Sequence, residues 1–393
     1  MSQSFLPYGR QTVTEADIAA VVSVLRSSLL TQGPAVPAFE DAVAEKVGVR
    51  HAVAVNSATS ALHLACHSLG LSRGDYLWTS PITFVASANC ARYCGADVDF
   101  VDIEAETGLM NVSNLACKLQ EAKIKGTLPK VVIPVHLAGT SCDMKAIADL
   151  AKFYNFHIIE DASHAIGGIY QGEPIGNCRY SDICVFSFHP VKIITTGEGG
   201  IATTNNQCLA RRMQQLRSHG ITKDIGEFKF PAAGPWSYEQ QMLGFNYRMT
   251  EFQAALGYSQ LQRLEAIVEE RNCLLEYYRL LLTDLPVHLL GIPAKIYSSA
   301  HLAVICLRKH NVQVHRYVFE RLQLAGIGVQ LHYAPVHLQP YYRQLGFQQG
   351  DFPEAECYST NAISLPLFPG LGNQAQQCVV NTLTNILTVA DTG

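Results

Sequence analysis

The sequence predicts an α/β protein with a smaller α+β unit towards its C-terminal end. Three observations lead there. After about residue 34 and up to about residue 205, short β-branched runs alternate with helical stretches or loops. That alternation builds a sheet layered with helices. The runs are apolar on both faces, as strands buried under helices are. The length of 393 residues, at about 150 per domain, gives two to three domains and room for a sizeable core.

Taken in order, the elements start at Thr14. Thr14-Glu15-Ala16-Asp17 has capping-box spacing, and Ile18, Val21, Val22, Leu25 and Leu29 follow at helical intervals. Thr31-Gln32-Gly33-Pro34 must break that helix. Strands are expected at Ala52–Val55, Val98–Val101, Val131–Val135, His157–Ile159, Ile183–Phe186 and Ile201–Thr203. Residues 206–220 read as helix and 221–249 as irregular, rich in Gly, Pro and aromatics. One long helix is expected over about Thr250–Leu282, then weaker signals with Pro-rich loops at His332–His337 and Leu365–Gly370.

Composition narrows the function. Charged residues are 16% against 48% hydrophobic, below the usual charged share of about 25%. That excludes disorder and hints at surface covered by another subunit. With 29 Lys and Arg against 33 Asp and Glu, no basic excess points to nucleic acid. No apolar run reaches membrane-spanning length. The opening stretch to Asp17 has no basic segment leading into an apolar one, so a cytoplasmic protein is expected. Twelve cysteines occur without a Cys-x-x-Cys pair. They read as small apolar residues in a reducing compartment, and no metal site is expected.

Three clusters could carry chemistry. In Ser187-Phe188-His189-Pro190-Val191-Lys192, followed by Gly197-Glu198-Gly199-Gly200, a lysine sits between a strand end and a glycine-rich turn. Substrates bind at such places in open α/β sheets, and a desolvated lysine there can be nucleophile or base. Alone it also reads as a surface lysine. In His157-Ile158-Ile159-Glu160-Asp161 a strand delivers carboxylates to its C-terminal edge. A helix cap is the plainer reading of Asp161. In Val55-Asn56-Ser57-Ala58-Thr59-Ser60 a strand passes into a helix through small polar residues. Free amides at such a start form a phosphate site, although simple Ser/Thr capping looks the same. Neither a Gly-x-Gly-x-x-Gly nor a Gly-Lys-[Ser/Thr] loop is present, which disfavours a dehydrogenase or a nucleotide-triphosphate site.

Together the clusters supply what pyridoxal 5'-phosphate requires. It needs a lysine for its aldehyde, an acid for its ring nitrogen and an anion site for its phosphate. Phe84 is the candidate ring cover, or else a core phenylalanine.

Those residues, with Leu30-Thr31-Gln32-Gly33-Pro34, Pro81-Ile82-Thr83-Phe84-Val85-Ala86 and Gly244-Phe245-Asn246-Tyr247-Arg248-Met249, resemble the DegT/StrS-type sugar-nucleotide aminotransferases. The likeness spans essentially the whole chain. It implies the aspartate-aminotransferase-like fold, fold type I of the pyridoxal-phosphate transferases. A large mixed-sheet α/β domain would cover residues 1–250. A linking helix and small α+β domain would cover 251–393. Lys192 would bind the cofactor covalently and Asp161 would pair with its ring nitrogen. Ser187, Ala58 and Thr59 would take the phosphate, Phe84 would cover the ring, and His164, where many members have glutamine, would meet the phenolic oxygen. Asn246 would reach the phosphate in a neighbouring subunit, making a homodimer with shared sites. Tyr8, Leu30, Thr31, Gln32, Gly33, Ser57, Gln330, Leu331, His332 and Tyr333, with Ser187 and Asn246, would contact substrate. Arg10 and Arg248 fit a carboxylate or diphosphate as well as a structural ion pair.

Within the family, Trp78–Cys90 and Ser187–Lys192 carry a narrower likeness to the transaminases of pseudaminic acid synthesis. It implies C4 amination of a UDP-linked keto-sugar with L-glutamate as donor, giving UDP-4-amino-4,6-dideoxy-N-acetyl-β-L-altrosamine. Another nucleotide-linked keto-sugar, aminated at C4 or C3, stays open. A sugar dehydratase of the same fold would carry histidine where Lys192 stands. A non-catalytic relative would not need the Lys192 and Asp161 pair.

Overall fold

The computed structural model describes residues 5–308 and 311–392, with side chains through Val389. The first four residues of the N-terminal stretch read above lie outside it.

Seven strands make the main sheet. In chain order β1 (His51–Val55), β2 (Tyr76–Thr79), β3 (Asp97–Phe100), β4 (Val131–Ile133) and β5 (His157–Asp161) come first. A hairpin of β6 (Ile169–Tyr170) and β7 (Glu173–Pro174) stands aside. Then β8 (Ile183–Ser187) and β9 (Gly200–Thr204) complete the sheet. The spatial order is β1-β9-β8-β5-β4-β2-β3. β9 alone runs opposite to the other six strands.

All six strands expected from β-branched runs are present, shifted by a residue or two at their ends. Tyr76–Thr79 is an additional strand. Its Tyr-Leu-Trp-Thr sequence lacks a β-branched run, and burial between β4 and β3 decides its conformation. Helices cover both faces, and Phe39, Leu62, Leu64, Trp78, Phe100 and Phe186 lie in the resulting core.

The irregular stretch 221–249 contains one short ladder, β10 (Ile221–Thr222) with β11 (Glu239–Gln240). Further on, β12 (Val287–Leu289), β14 (Ala303–Leu307) and β15 (Ala362–Leu365) form an antiparallel sheet, while β13 (Ile296–Tyr297) pairs with β6. Helices Val312–Leu324 and Asn373–Thr392 pack on the three-stranded sheet around a second apolar cluster. The helix Leu264–Leu281 serves both clusters. Leu264, Ile267 and Val268 enter the first, and Leu274, Leu275 and Tyr278 the second. Between them Arg271 is fully buried. Its Nη1 donates to the carbonyls of Ala300, His301 and Leu367.

Two expectations change. The long helix over 250–282 is two helices, Glu251–Leu261 and Leu264–Leu281. At the break Arg263 adopts φ −109°, ψ 8°, and its Nη2 donates to buried Asp17 at 2.8 Å. The N-terminal helix, Glu15–Leu25, has the expected capping box, with Asp17 also bonded to Ser259 and Gln260. Its Ile18 and Leu25, with Leu29 beyond it, are exposed rather than covered by their own chain.

Candidate active site

The C-terminal edges of parallel strands end at one cavity of about 860 Å³. Strand β5 delivers Asp161, β8 delivers Ser187 and β1 leads into Ser57, Ala58 and Thr59. Lys192 stands in the turn after β8, where its amide donates to His189 O at 2.9 Å. All these residues line the cavity, as do His164, Phe84, Tyr8, Gln330, Leu331, His332 and Tyr333.

Asp161 is buried. It is not a helix cap: its Oδ1 accepts from the Ser163 amide at 3.1 Å and its Oδ2 from Ser87 Oγ at 2.5 Å. Both oxygens are thereby aimed, and the carboxylate faces the cavity. Phe84 is 58% exposed, so it is not a core phenylalanine. It lies on the wall as an open aromatic face.

The candidate anion cradle is built from backbone. Ser57 caps the helix Ala58–Ser68, its Oγ accepting from Ser60 N at 3.1 Å. The Ala58 and Thr59 amides sit in the first turn, where no carbonyl within the helix can reach them. Gly200 lies directly beneath. A Cβ there would stand 2.4 Å from Ala58 N and 2.5 Å from Ser57 C, so a side chain would push the cradle out of place.

The electrostatics make the amine easier to deprotonate than an ordinary lysine. Burial lowers the Lys192 pKa to about 8, opposed by the Asp161 carboxylate. Burial, then Lys192, takes His332 down to about 3. Burial also holds His164 and His301 well below the ordinary imidazole value. Three neutral imidazoles therefore face the lysine at neutral pH. They are fixed in place: His332 Nδ1 lies 2.8 Å from Ser364 Oγ, and the His164 and His301 rings meet at 4.4 Å. His164 has both nitrogens engaged, Nδ1 by the Ala138 amide at 3.3 Å and Nε2 by Tyr333 Oη at 3.0 Å.

Five expected residues lie outside the cavity of their own chain. Leu30, Thr31, Gln32 and Gly33 run beside Glu251. Its amide donates to Leu30 O, and its carboxylate accepts from Ala35 N and Val36 N. Asn246 is exposed, its backbone bridged to Ser218. Arg10 and Arg248 also stand away. The Arg10 guanidinium lies over the Phe368 ring, and Arg248 bridges Val55 through its backbone.

Sequence reasoning missed Ser87 and His301. Ser87 is fully buried in the first turn of the helix Ala86–Tyr93 behind Phe84, and no local pattern ties it to Asp161. His301 is brought in only by the second sheet's entry strand, and no local pattern marks it.

Comparison with known proteins gives this geometry its family. The model of the DegT/DnrJ/EryC1/StrS aminotransferase family matches residues 11–384. The UDP-4-amino-4,6-dideoxy-N-acetyl-β-L-altrosamine transaminase of Campylobacter jejuni is 36% identical over 384 residues, 97% of either chain. Among solved structures, Helicobacter pylori PseC, an aminotransferase involved in biosynthesis of pseudoaminic acid, superposes with a TM-score of 0.89. It is 31% identical and covers 98% of this chain and 100% of its own. Streptococcus pneumoniae Spr1654 in its PLP form gives 0.87 at 30% identity, over 97% and 98%. The chain belongs to the DegT/DnrJ/EryC1/StrS aminotransferase family.

Proposed function

We propose that the chain transfers the amino group of L-glutamate to C4 of a UDP-linked 4-keto-6-deoxy-N-acetylhexosamine, through pyridoxal phosphate held at Lys192. The product would be UDP-4-amino-4,6-dideoxy-N-acetyl-β-L-altrosamine, a precursor of pseudaminic acid. The observation that carries the chemistry is buried Lys192, more easily deprotonated than an ordinary lysine, beside the fixed Asp161 carboxylate in one cavity. The substrate assignment is supported by the two relatives whose names state that sugar or that pathway.

The residues present fit the cofactor. Lys192 would take its aldehyde, Asp161 its ring nitrogen, Ser187 with the Ala58 and Thr59 amides its phosphate, and Phe84 one ring face. Gly200 keeps the phosphate cradle open. Pyridoxal phosphate bound there supplies an electron sink and carries the amino group between donor and acceptor.

The protein's own part is proton handling and placement. Lys192 Nζ, neutral for much of the time near pH 8, takes the proton from the donor's α-carbon and later returns one to the sugar's C4. Asp161 holds a proton on its ring-nitrogen partner. The histidines, held neutral by burial, bring no charge of their own to the cavity wall. Donor and acceptor use one site in turn, so ping-pong kinetics are expected.

A homodimer acting in the cytoplasm completes the proposal. Phe230, Trp236 and Leu243 are large and exposed, as are Leu29 and Leu30. A second copy covering them would explain the low charge. It would also bring the partner subunit's Asn246, exposed and away from its own cavity, to the phosphate. Among the described residues no helix is long and apolar enough to cross a membrane.

The test is mass spectrometry of products from purified protein, cofactor, L-glutamate and a panel of 4-keto sugar nucleotides. The UDP-linked altrosamine should be the preferred product. Preference for another sugar would move the substrate assignment and keep the chemistry. No amination of any keto-sugar would refute both.

A further inference from the structure

His164 sits between two partners whose chemistry fixes its only proton. The Ala138 amide points at Nδ1 from 3.3 Å. An amide N–H can only donate, so Nδ1 must offer its lone pair. Burial keeps the imidazole neutral, and its proton therefore sits on Nε2. Nε2 lies 3.0 Å from Tyr333 Oη. The imidazole donates, the phenol accepts, and the phenol's own proton is directed elsewhere. The Ala138 peptide is itself held, with φ 57° and ψ 9° and its carbonyl accepting from His301 N at 2.9 Å.

The space next to Tyr333 is the cavity. Its ring lies 6.3 Å from Phe84 at 54°. Burial first, and the Asp161 carboxylate second, raise its pKa, so it stays protonated. Phe84 is the proposed ring cover and Asp161 the proposed partner of the ring nitrogen. A donor flanked by both stands at the ring's edge.

We infer that Tyr333, not His164, is the hydrogen-bond donor to the phenolic oxygen of pyridoxal phosphate. His164 is then a positioning residue that acts through Tyr333. This rests on the cofactor reading above and revises the role that the family likeness gave to His164.

The experiment is a pH titration of the yellow absorbance of the cofactor-loaded protein. Tyr333→Phe removes Oη alone. The phenolate then keeps more charge and holds the neighbouring imine proton more tightly. The midpoint should rise by about one to two pH units, the effect of one hydrogen bond to a charged acceptor. His164→Gln keeps both an acceptor and a donor and should leave the midpoint in place. His164→Leu frees the phenol to turn and should raise it part of the way. A Tyr333→Phe midpoint equal to that of the unsubstituted protein would overturn the inference, as would a larger shift in His164→Leu than in Tyr333→Phe. Yellow colour and a borohydride adduct with an unchanged midpoint would defeat the Tyr333 role alone. No yellow colour at saturating cofactor would defeat the cofactor reading as well. A second measurement needs no variant: nitrogen-15 NMR of unloaded protein should find His164 protonated at Nε2 and bare at Nδ1. The opposite tautomer would contradict the inference.

Discussion

Glu160 and Asp161 are neighbours on β5, both carboxylates, both buried, and they point to opposite faces of the sheet. Glu160 is closed in by its own fold. Its Oε2 meets His136 Nε2 at 2.8 Å, Ser181 Oγ donates to its Oε1, and His136 Nδ1 accepts from the Cys142 amide. Asp161 is fastened just as firmly, by Ser87 and Ser163, but opens on the cavity and faces a lysine. Burial alone does not mark a functional acid. What separates the two is whether the carboxylate still has space for a guest after its internal hydrogen bonds are made.

The contrast can be broken by substituting each in turn. Asp161→Asn should cost transamination at least about a hundredfold, as loss of one positioned catalytic group does, with little change in unfolding. Stopped-flow or steady-state rates with glutamate check it, and an undiminished rate would remove Asp161 from catalysis. Glu160→Ala should do the reverse. It strands His136 and Ser181, so urea unfolding should show a loss of about 3 kcal/mol, while the rate per folded, loaded molecule stays within about threefold. A large rate loss at unchanged stability would place Glu160 in the machinery and erase the distinction.

Two smaller effects sharpen the account of the cavity face. Gly200→Ala drives a methyl group into the Ser57–Ala58 backbone. Cofactor affinity should fall by about tenfold, roughly 1.4 kcal/mol, in a fluorescence titration. An unchanged Kd would detach the helix start from phosphate binding. The rate of cofactor uptake by the stripped protein should follow neutral Lys192. With a pKa near 8 it rises roughly tenfold from pH 7 to 9 and then levels. A lysine at its ordinary value would rise roughly a hundredfold over that range without levelling.

Much of this was legible in the chain because strand ends announce themselves locally. Ser187, Asp161, Ala58 and Thr59 each end or follow an apolar strand, Lys192 stands in the turn after one, and the ends of β1, β8 and β5 share one edge of the sheet with β9 between the first two. His301 was not legible, because its place depends on the second sheet's approach and on the Arg271 clamp. The apolar stripe of the first helix was visible, yet Ile18 and Leu25 lie exposed. Periodicity says that a face is to be covered and not by what. The helix break at Arg263 escaped detection for a similar reason, since Asp17, which draws it, is distant in sequence.

Borohydride reduction of the cofactor-loaded protein followed by peptide mass spectrometry tests the covalent role of Lys192 directly. One pyridoxyl-phosphate adduct should form, on the ε-nitrogen of Lys192, and be absent in Lys192→Ala. An adduct on another lysine, or none from yellow-free protein at saturating cofactor, would contradict that role.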